Sequence, residues 1–257
     1  MSEEEFEYEL DEFEEEEEEG EEGEEDEYDY ETDLDYKIEN VVATVTVEIT
    51  EKIDLNQIAR RHAEVEYNPE RFPGLVMRIE KPRATILIFS TGKMVVTGLR
   101  QAAEAERVVD KVVKNIRKAG IKISNPEITI QNIVASGDLH TNIDLNMAAI
   151  VMEYAMYEPE VFPGLIYRMQ DPKTVFLIFS TGRIVCTGAK QKEIVRDAVL
   201  KLNQQVRDLG VAKKDIGDSE YQDITFIEVN FSFFIIFFFF IMLSFDSDSF
   251  LFTNCIN

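Results

Sequence analysis

The strongest constraint on this chain is a stretch that occurs twice. Residues 67–101 and 157–191 align without a gap at an offset of 90, and 19 of the 35 aligned positions are identical. The flanks repeat as well, since residues 38–43 read IENVVA and residues 130–135 read IQNIVA. A unit of about 90 residues is much longer than the roughly 20 to 50 residues of solenoid and propeller repeats, so it is half of a domain. Two fused copies predict a pseudo-twofold protein.

The charge of the chain is unevenly distributed. Residues 1–35 contain 23 of the 51 acidic residues and no Lys or Arg. All 26 Lys and Arg lie between Lys37 and Lys214, where 21 acidic residues leave a net charge of about +5. A like-charged run that is poor in apolar residues buries too little surface to offset its ordering entropy, so we predict that residues 1–35 are a disordered tail. This tail is either solubilising or an acidic competitor of a polyanion for the basic region.

Catalytic and metal-binding patterns are missing from the sequence. Two cysteines, Cys186 and Cys255, and two histidines, His62 and His140, form neither a disulfide framework nor a zinc ligand set. Gly92-Lys93 lacks the earlier glycine of a phosphate-binding loop. We therefore expect no enzyme, no cofactor, no metal and no small-molecule substrate. The acidic start does not resemble a signal peptide, which favours a reducing intracellular compartment.

Each copy has the same predicted order of elements. Alternating residues predict a strand over 38–49, and Asp54 is a candidate N-cap of a short helix. Strands follow near 75–80, 84–90 and 93–97, and then a long helix whose apolar stripe runs from Ala102 to Ala119. Tight turns favour antiparallel pairing. The predicted fold class is α+β, with one continuous antiparallel sheet and helices on one side; we call the other side the open face.

The alternation also predicts which side chains lie on the open face. Apolar and cationic residues recur there in both copies: Asn40, Val42, Val76, Arg78, Leu87, Phe89, Lys93, Val95 and Thr97, then Asn132, Val134, Ser136, Ile166, Arg168, Leu177, Phe179, Arg183, Val185 and Thr187. A soluble protein rarely keeps so large an apolar face without a partner. The alternative is that these side chains pack against a second layer of a β-sandwich.

Four motifs, YNPERFPGLVMR, LIFSTGKMVVTG, YEPEVFPGLIYR and LIFSTGRIVCTG, closely resemble the TATA-box-binding protein family in its short archaeal form. The resemblance covers about residues 36–211. It implies a saddle of two repeats, 36–126 and 127–213, with helices on the convex face and a curved sheet whose concave face sits in the DNA minor groove. It also implies a general transcription factor acting in the archaeal nucleoid within the cytoplasm, or in the nucleus of a eukaryote.

The resemblance further implies roles for individual residues. Phe72 with Phe89, and Phe162 with Phe179, would intercalate between base pairs. Base contacts would come from Asn40, Val42, Leu87, Val95, Thr97, Asn132, Val134, Leu177, Val185 and Thr187. Phosphates would be held by Arg78, Lys93, Arg168, Arg183 and Lys190. Transcription factor B would contact Glu158, Glu160 and Val161, and the implied partners are a TATA element, transcription factor B and the RNA polymerase pre-initiation complex.

Two alternatives remain open from the sequence. The open face could instead bind an acidic protein segment that mimics bent DNA, which would make the chain a protein-interaction module. Residues 214–257 depart from the family pattern, and their Phe/Ile-rich run of about 15 residues, 231–245, is shorter than the roughly 20 residues that span a bilayer. That extension is a weak membrane anchor, a partner-binding segment or, as we favour, a product of frameshift or read-through; we expect no membrane partner.

Overall fold

A computed structural model of the chain describes residues 35–62 and 65–213. The acidic tail was predicted over residues 1–35, but Asp35 is the first residue of a strand; the rest of the tail and the extension 214–257 lie outside the described residues. The first repeat consists of β1 (Asp35–Thr46), α1 (Leu55–Arg61), β2 (Val65–Glu66), β3 (Leu75–Ile79), β4 (Ala84–Ile88), β5 (Lys93–Leu99) and α2 (Glu104–Lys118). The second repeat consists of β6 (Glu127–Asp138), α3 (Leu145–Val151), β7 (Ala155–Met156), β8 (Leu165–Met169), β9 (Thr174–Ile178), β10 (Arg183–Ala189) and α4 (Lys192–Asp208).

The ten strands of the described residues belong to one antiparallel sheet in the order β2-β3-β4-β5-β1-β6-β10-β9-β8-β7. The two repeats meet where β1 pairs with β6, from Asp35 opposite Asp138 to Thr46 opposite Glu127. The pseudo-twofold axis therefore passes between these central strands, and the two-residue strands β2 and β7 lie at the edges. The predicted continuous antiparallel sheet is confirmed.

The helices form where the sequence supplies caps and an apolar stripe. Asp54 accepts hydrogen bonds from the backbone N–H groups of Asn56 and Gln57, and Asp144 does the same for Met147. The long helices α2 and α4 bury one stripe each against the sheet, with Val108 and Leu202 fully buried. The stripe predicted for α2 began too early, because Ala102 is exposed and precedes the helix. No helix among residues 35–62 and 65–213 combines the length and the apolar character needed to cross a bilayer.

The first strand begins and ends about three residues earlier than the sequence predicted. The alternation indicated a strand over 38–49, whereas β1 covers Asp35–Thr46. Tertiary pairing outweighs local propensity here, since the long partner strand β6 pairs with the polar residues at the start of β1. At the other end Val47 leaves the ladder, and its N–H bonds to the carbonyl oxygen of Gly92 at 3.1 Å.

Candidate nucleic-acid interface

The strand register brings the predicted open-face residues together. Leu87 of β4 lies opposite Val76 on β3 and Val95 on β5. In the second repeat Leu177 of β9 lies opposite Ile166 and Val185. Paired residues of antiparallel strands point to the same side, so each leucine lies at the centre of an apolar row. The alternate residues, such as Ile86 and Ile88, are fully buried on the helix side. The predicted parity of both copies is correct.

The open face is less bare than the sequence indicated. Asn40, Phe89, Leu177 and Thr187 are between 1% and 3% exposed. Asn40 and Thr187 are covered in part because they form hydrogen bonds with neighbours within the sheet. Phe89 packs against the ring of its predicted partner, and Leu177 is flanked by apolar residues on both neighbouring strands. The two halves also differ, since Leu87 remains partly exposed where Leu177 is buried.

Asn40 lies beside the pseudo-twofold axis in a fixed orientation. Its Oδ1 accepts a 2.7 Å hydrogen bond from the backbone N–H of Gly98, and its Nδ2 lies 3.2 Å from the Thr97 hydroxyl. A backbone N–H can only donate, so this contact determines which end of the amide is oxygen. Its Nδ2 therefore faces the Thr97 hydroxyl, and the whole residue is held in this orientation at 2% exposure. Gly98 reaches this position with φ of +91°, a conformation that glycine adopts without strain.

Asn132 repeats the arrangement on the other side of the axis. Its Oδ1 accepts from the Gly188 N–H at 2.8 Å, and its Nδ2 donates to the Thr187 hydroxyl at 2.9 Å. Asn40 lies opposite Val134, and Asn132 lies opposite Val42. The two amides are thus diagonal neighbours, a separation of about 7–8 Å, or roughly two base-pair steps of 3.4 Å. The centre of the sheet therefore carries two matching sets of amide, hydroxyl and glycine, in which Asn132 and Thr97 are partly exposed and Asn40 and Thr187 are buried.

Two pairs of phenylalanines lie towards the outer ends of the sheet. The ring centroids of Phe72 and Phe89 are 5.8 Å apart, and those of Phe162 and Phe179 are 6.0 Å apart, both edge to face. Each pair packs over a glycine. A Cβ built on Gly74 would lie 2.6 Å from the Phe72 ring, and one on Gly164 would lie 2.7 Å from the Phe162 ring. The absent side chain is therefore what allows each pair to sit close to the backbone.

The predicted phosphate-binding cations are spread around the apolar rows. Arg78 is exposed on β3 and forms an ion pair with Glu66 on the edge strand β2. Lys93 and Arg183 begin the equivalent strands β5 and β10, and Arg168 lies on β8. Lys190 does not lie on a strand: it is in the loop from β10 to α4, beside a cavity of about 740 Å³ at the junction of the repeats. The cations are thus distributed over both repeats.

Two bulge residues near the axis were missed by the sequence reasoning. The register of the central strands shifts at Glu39 in β1 and at Gln131 in β6. The Ser136 hydroxyl donates to a Glu39 carboxylate oxygen at 2.8 Å, and the Gln131 amide donates to the Thr44 hydroxyl at 2.8 Å. Glu39 and Gln131 occupy matching places in the repeated flanks IENVVA and IQNIVA, which is the signal that could have identified them.

The residues predicted to contact transcription factor B lie away from the axis, in the loop between β7 and β8. Glu158, Glu160 and Val161 are exposed, and Val161 has an exposed fraction of 78%. Backbone N–H groups of Val161 and Phe162 both donate to the Glu158 carbonyl oxygen at 2.9 Å, which gives the loop a tight turn. The turn carries Phe162 on one side and these exposed side chains on the other.

The fold and the open face together define a class: an internally duplicated αβ protein whose uncovered sheet presents paired aromatic and amide side chains. Comparison with known proteins makes this specific. The family model described as "Transcription factor TFIID (or TATA-binding protein, TBP)" matches residues 35–119 and 127–209. The chain belongs to the TATA-binding protein family.

Archaeal proteins are prominent among its relatives. The TATA-box-binding protein of Pyrobaculum islandicum is 50% identical over 189 residues, which cover 73% of this chain and 94% of that protein. The TATA-box-binding protein of Pyrodictium occultum is 51% identical over 173 residues, covering 67% and 86%. The solved structure of Methanococcus jannaschii TBP is similar with a TM-score of 0.62 and 42% identity, covering 68% of this chain and 99% of that one. The predicted pseudo-twofold saddle is therefore confirmed, and the family is one of transcription factors.

Proposed function

We propose that this protein is a general transcription factor that binds a TATA element through the open face, in the minor groove. The observation that carries the proposal is the pair of oriented amides at the centre of that face. Their oxygens accept from Gly98 and Gly188, so the groups left for a ligand are donors. A·T and T·A base pairs present only acceptors in the minor groove.

The same geometry accounts for selection against G·C pairs. A guanine adds an amino donor to the minor groove, and that donor would face amide hydrogens and the apolar rows around Val95 and Val185. A buried donor left without an acceptor costs about 1–3 kcal/mol. The open face therefore favours A·T-rich sequence but does not distinguish A·T from T·A.

The phenylalanine pairs supply the second element of the proposal. Phe72 with Phe89 and Phe162 with Phe179 would enter between base pairs at the two ends of the site and bend the duplex. Pyrimidine–purine steps such as TA unstack at low cost, so a protein that deforms DNA prefers them even where it makes few direct contacts. Arg78, Lys93, Arg168, Arg183 and Lys190 would hold the phosphates of the bent duplex.

Recruitment of the transcription machinery is the third element. The exposed turn at Glu158, Glu160 and Val161 projects beside the wedge residue Phe162, which places it next to bent DNA in the proposed complex. We propose that transcription factor B binds this turn and the DNA together and then brings RNA polymerase. The protein would act on the chromosome in the cytoplasm of an archaeal cell.

Base-analogue substitution tests the proposed minor-groove contact. Inosine lacks the amino group of guanine, so an I·C pair matches A·T in the minor groove while keeping a G·C-like major groove. We expect a TATA duplex with central I·C pairs to bind within about twofold of the natural duplex, and one with G·C pairs to lose 10-fold or more, consistent with about 1–3 kcal/mol per mismatched pair. Equal losses for both duplexes would contradict the proposal, and so would binding that a minor-groove ligand fails to compete, the outcome expected of a protein-interaction module.

A further inference from the structure

The second repeat has an apolar surface that the first repeat lacks. Five exposed side chains, here called the apolar patch, are Met147, Ile150, Val151, Tyr154 and Leu209, with exposed fractions from 37% to 84%. Met147, Ile150 and Val151 lie on one face of α3, and Tyr154 follows in the turn after its extended C-cap Met152. At an offset of 90, the first repeat has Gln57, Arg60, Arg61, Glu64 and Ala119 instead. The patch is thus specific to one half of a duplicated structure.

The matching surface of the first repeat is occupied by polar contacts. Gln57 donates through Nε2 to the Ala119 carbonyl oxygen at 2.8 Å, and Arg61 donates to the Lys118 carbonyl oxygen at 3.0 Å. These bonds tie α1 to the end of α2. Methionine and valine at the matching positions 147 and 151 have no donor for such bonds. The second repeat therefore has an apolar surface where the first has a polar clamp.

A cavity lies beside the patch. It has a volume of about 340 Å³, and its lining is mixed: the apolar and aromatic residues Val151, Met152, Tyr154, Tyr167, Met169 and Leu209 lie together with the polar residues Glu153, Gln170, Asp171, Lys201 and Gln205. Aromatic and thioether side chains of this kind suit a large apolar side chain such as phenylalanine. The cavity and the patch together form a surface for an apolar segment.

The chain itself passes this surface as it leaves the fold. After α4, the Val211 carbonyl oxygen accepts from the Asp144 N–H at 2.9 Å, Ala212 bridges to Ile143, and the Lys213 N–H donates to Asn142 at 2.7 Å. Asp144 is the N-cap of α3. Lys213 is therefore held at the start of the helix that carries the patch.

The distance from this exit to the patch is short for the available linker. The apolar run of residues 231–245 is separated from Lys213 by 17 residues. Seventeen residues can span about 23 Å even at the root-mean-square extension of an unstructured chain, whereas a seven-residue helix such as α3 is only about 10 Å long. Tethering at such a range gives an effective concentration of about a millimolar.

We propose that the apolar patch and its cavity are an intramolecular docking site for the Phe/Ile-rich run at residues 231–245. Contact with an apolar surface stabilises a run rich in Phe and Ile, because it removes their side chains from water. The second repeat, which the run follows in the chain, provides such a surface. At the same positions the first repeat has Arg60, Arg61 and Glu64, which are charged, together with Gln57 and Ala119. Docking would remove the exposed apolar patch from water and bury apolar side chains of the run in the same contact.

Photo-crosslinking in the full chain tests the contact. A photoreactive amino acid at position 150 should form intramolecular crosslinks to peptides from residues 231–245, at a yield independent of protein concentration. The same group at position 60, its counterpart on the first repeat, is the matched control and should give at least about fivefold less. Crosslinks that join two chains, or equal yields at the two positions, would overturn the proposal, because they indicate a second copy as the occupant or no specific contact.

Hydrogen exchange provides an independent measurement on folded protein. Met147→Gln/Ile150→Arg/Val151→Arg gives the patch the residues of the first repeat. In this variant, and in Phe237→Ser/Phe238→Ser/Phe239→Ser, we expect amides of residues 145–151 to exchange about tenfold faster than in the unaltered chain. Unchanged exchange in the second variant, whose substitutions are at positions outside the described residues, would overturn the proposal. Neither readout depends on DNA binding.

Discussion

The Ser136 hydroxyl donates a 2.8 Å hydrogen bond to the Glu39 carboxylate across the two central strands. On the other side of the pseudo-twofold axis the corresponding bond is between neutral groups, since the Gln131 amide donates to Thr44. A negative charge therefore lies near the open face on one side of the axis, without a matching charge on the other. The two halves of the proposed DNA site are electrostatically unequal.

This inequality predicts the effect of Glu39→Gln. The substitution keeps an oxygen acceptor for Ser136 and removes a charge that repels phosphates, so we expect DNA affinity to rise about three- to fivefold at low salt, an energy of under about 1 kcal/mol. Gln131→Glu is the matched control and should weaken binding by a similar factor. Titrations at two salt concentrations check both variants. Affinities that do not move in opposite directions would contradict the argument.

Gly164 leaves the space in which Phe162 and Phe179, the proposed intercalating pair of the second repeat, are positioned. A methyl group there would lie 2.7 Å from the Phe162 ring and 3.2 Å from the Phe179 ring, so the pair must move. We expect Gly164→Ala to reduce DNA bending towards the level of Phe162→Ala/Phe179→Ala and to weaken binding, where each lost step interaction is worth a few kcal/mol. A fluorescence assay of DNA bending compares the two variants. Wild-type bending in the double phenylalanine variant would refute the wedge assignment.

Charge and base recognition should separate in two single variants. Arg168→Ala should weaken binding to all sequences and flatten the salt dependence by about one unit of slope. Asn132→Ala removes the oriented amide that bonds to Gly188 and should mainly reduce the preference for a TATA site over a G·C-rich one. Binding measured on both duplexes over a range of salt distinguishes these effects. If both variants lost the same sequence preference, this division of roles would be wrong.

The acidic tail predicts a salt-dependent effect on DNA association. Residues 1–34 are joined to a region with a net charge of about +5, and a tethered polyanion competes with DNA phosphates for the same cations. Deleting residues 1–34 should speed association at low salt and change little near 1 M, where the Debye length falls to about 3 Å. Stopped-flow association rates of the two proteins measure this. Superimposable rates at low salt, with poorer solubility after deletion, would support a solubilising tail instead.

Burial of Cys186 predicts slow thiol labelling of the folded protein and a pH-dependent contribution to its stability. Burial raises the pKa of its thiol to about 12, because the thiolate would lose its hydration. The unfolded thiol ionises near pH 8.5, so this residue's contribution to stability is present below that pH and declines as pH rises towards 12. In a Cys255→Ser chain, thiol labelling of native protein should be at least about 100-fold slower than after unfolding. Cys186→Val, which copies the first-repeat residue Val96, should remove the pH dependence of stability. Rapid labelling of the native Cys255→Ser chain would contradict the prediction.

Much of this architecture could be predicted because it depends on local patterns. The duplication required a pseudo-twofold arrangement, and strict alternation placed residues such as Leu87 and Leu177 on the open face before any pairing was known. Side-chain direction in a strand has a period of two, so parity follows from sequence once one buried residue is assigned. The caps at Asp54 and Asp144 were equally local, since each bonds within three residues.

Other features depend on contacts between distant segments. The pairing of β1 with β6 at the centre joins strands about 90 residues apart, and their bulges at Glu39 and Gln131 appear only when the register is known. The orientation of Asn132 depends on Gly188, 56 residues away. The apolar patch depends on α3 having no side-chain donors that bond to the end of α4. Sequence alone determined the repeat, the element order and the face on which each side chain lies. The tertiary structure decided which groups meet, because hydrogen-bond partners and buried surface are properties of spatial neighbours.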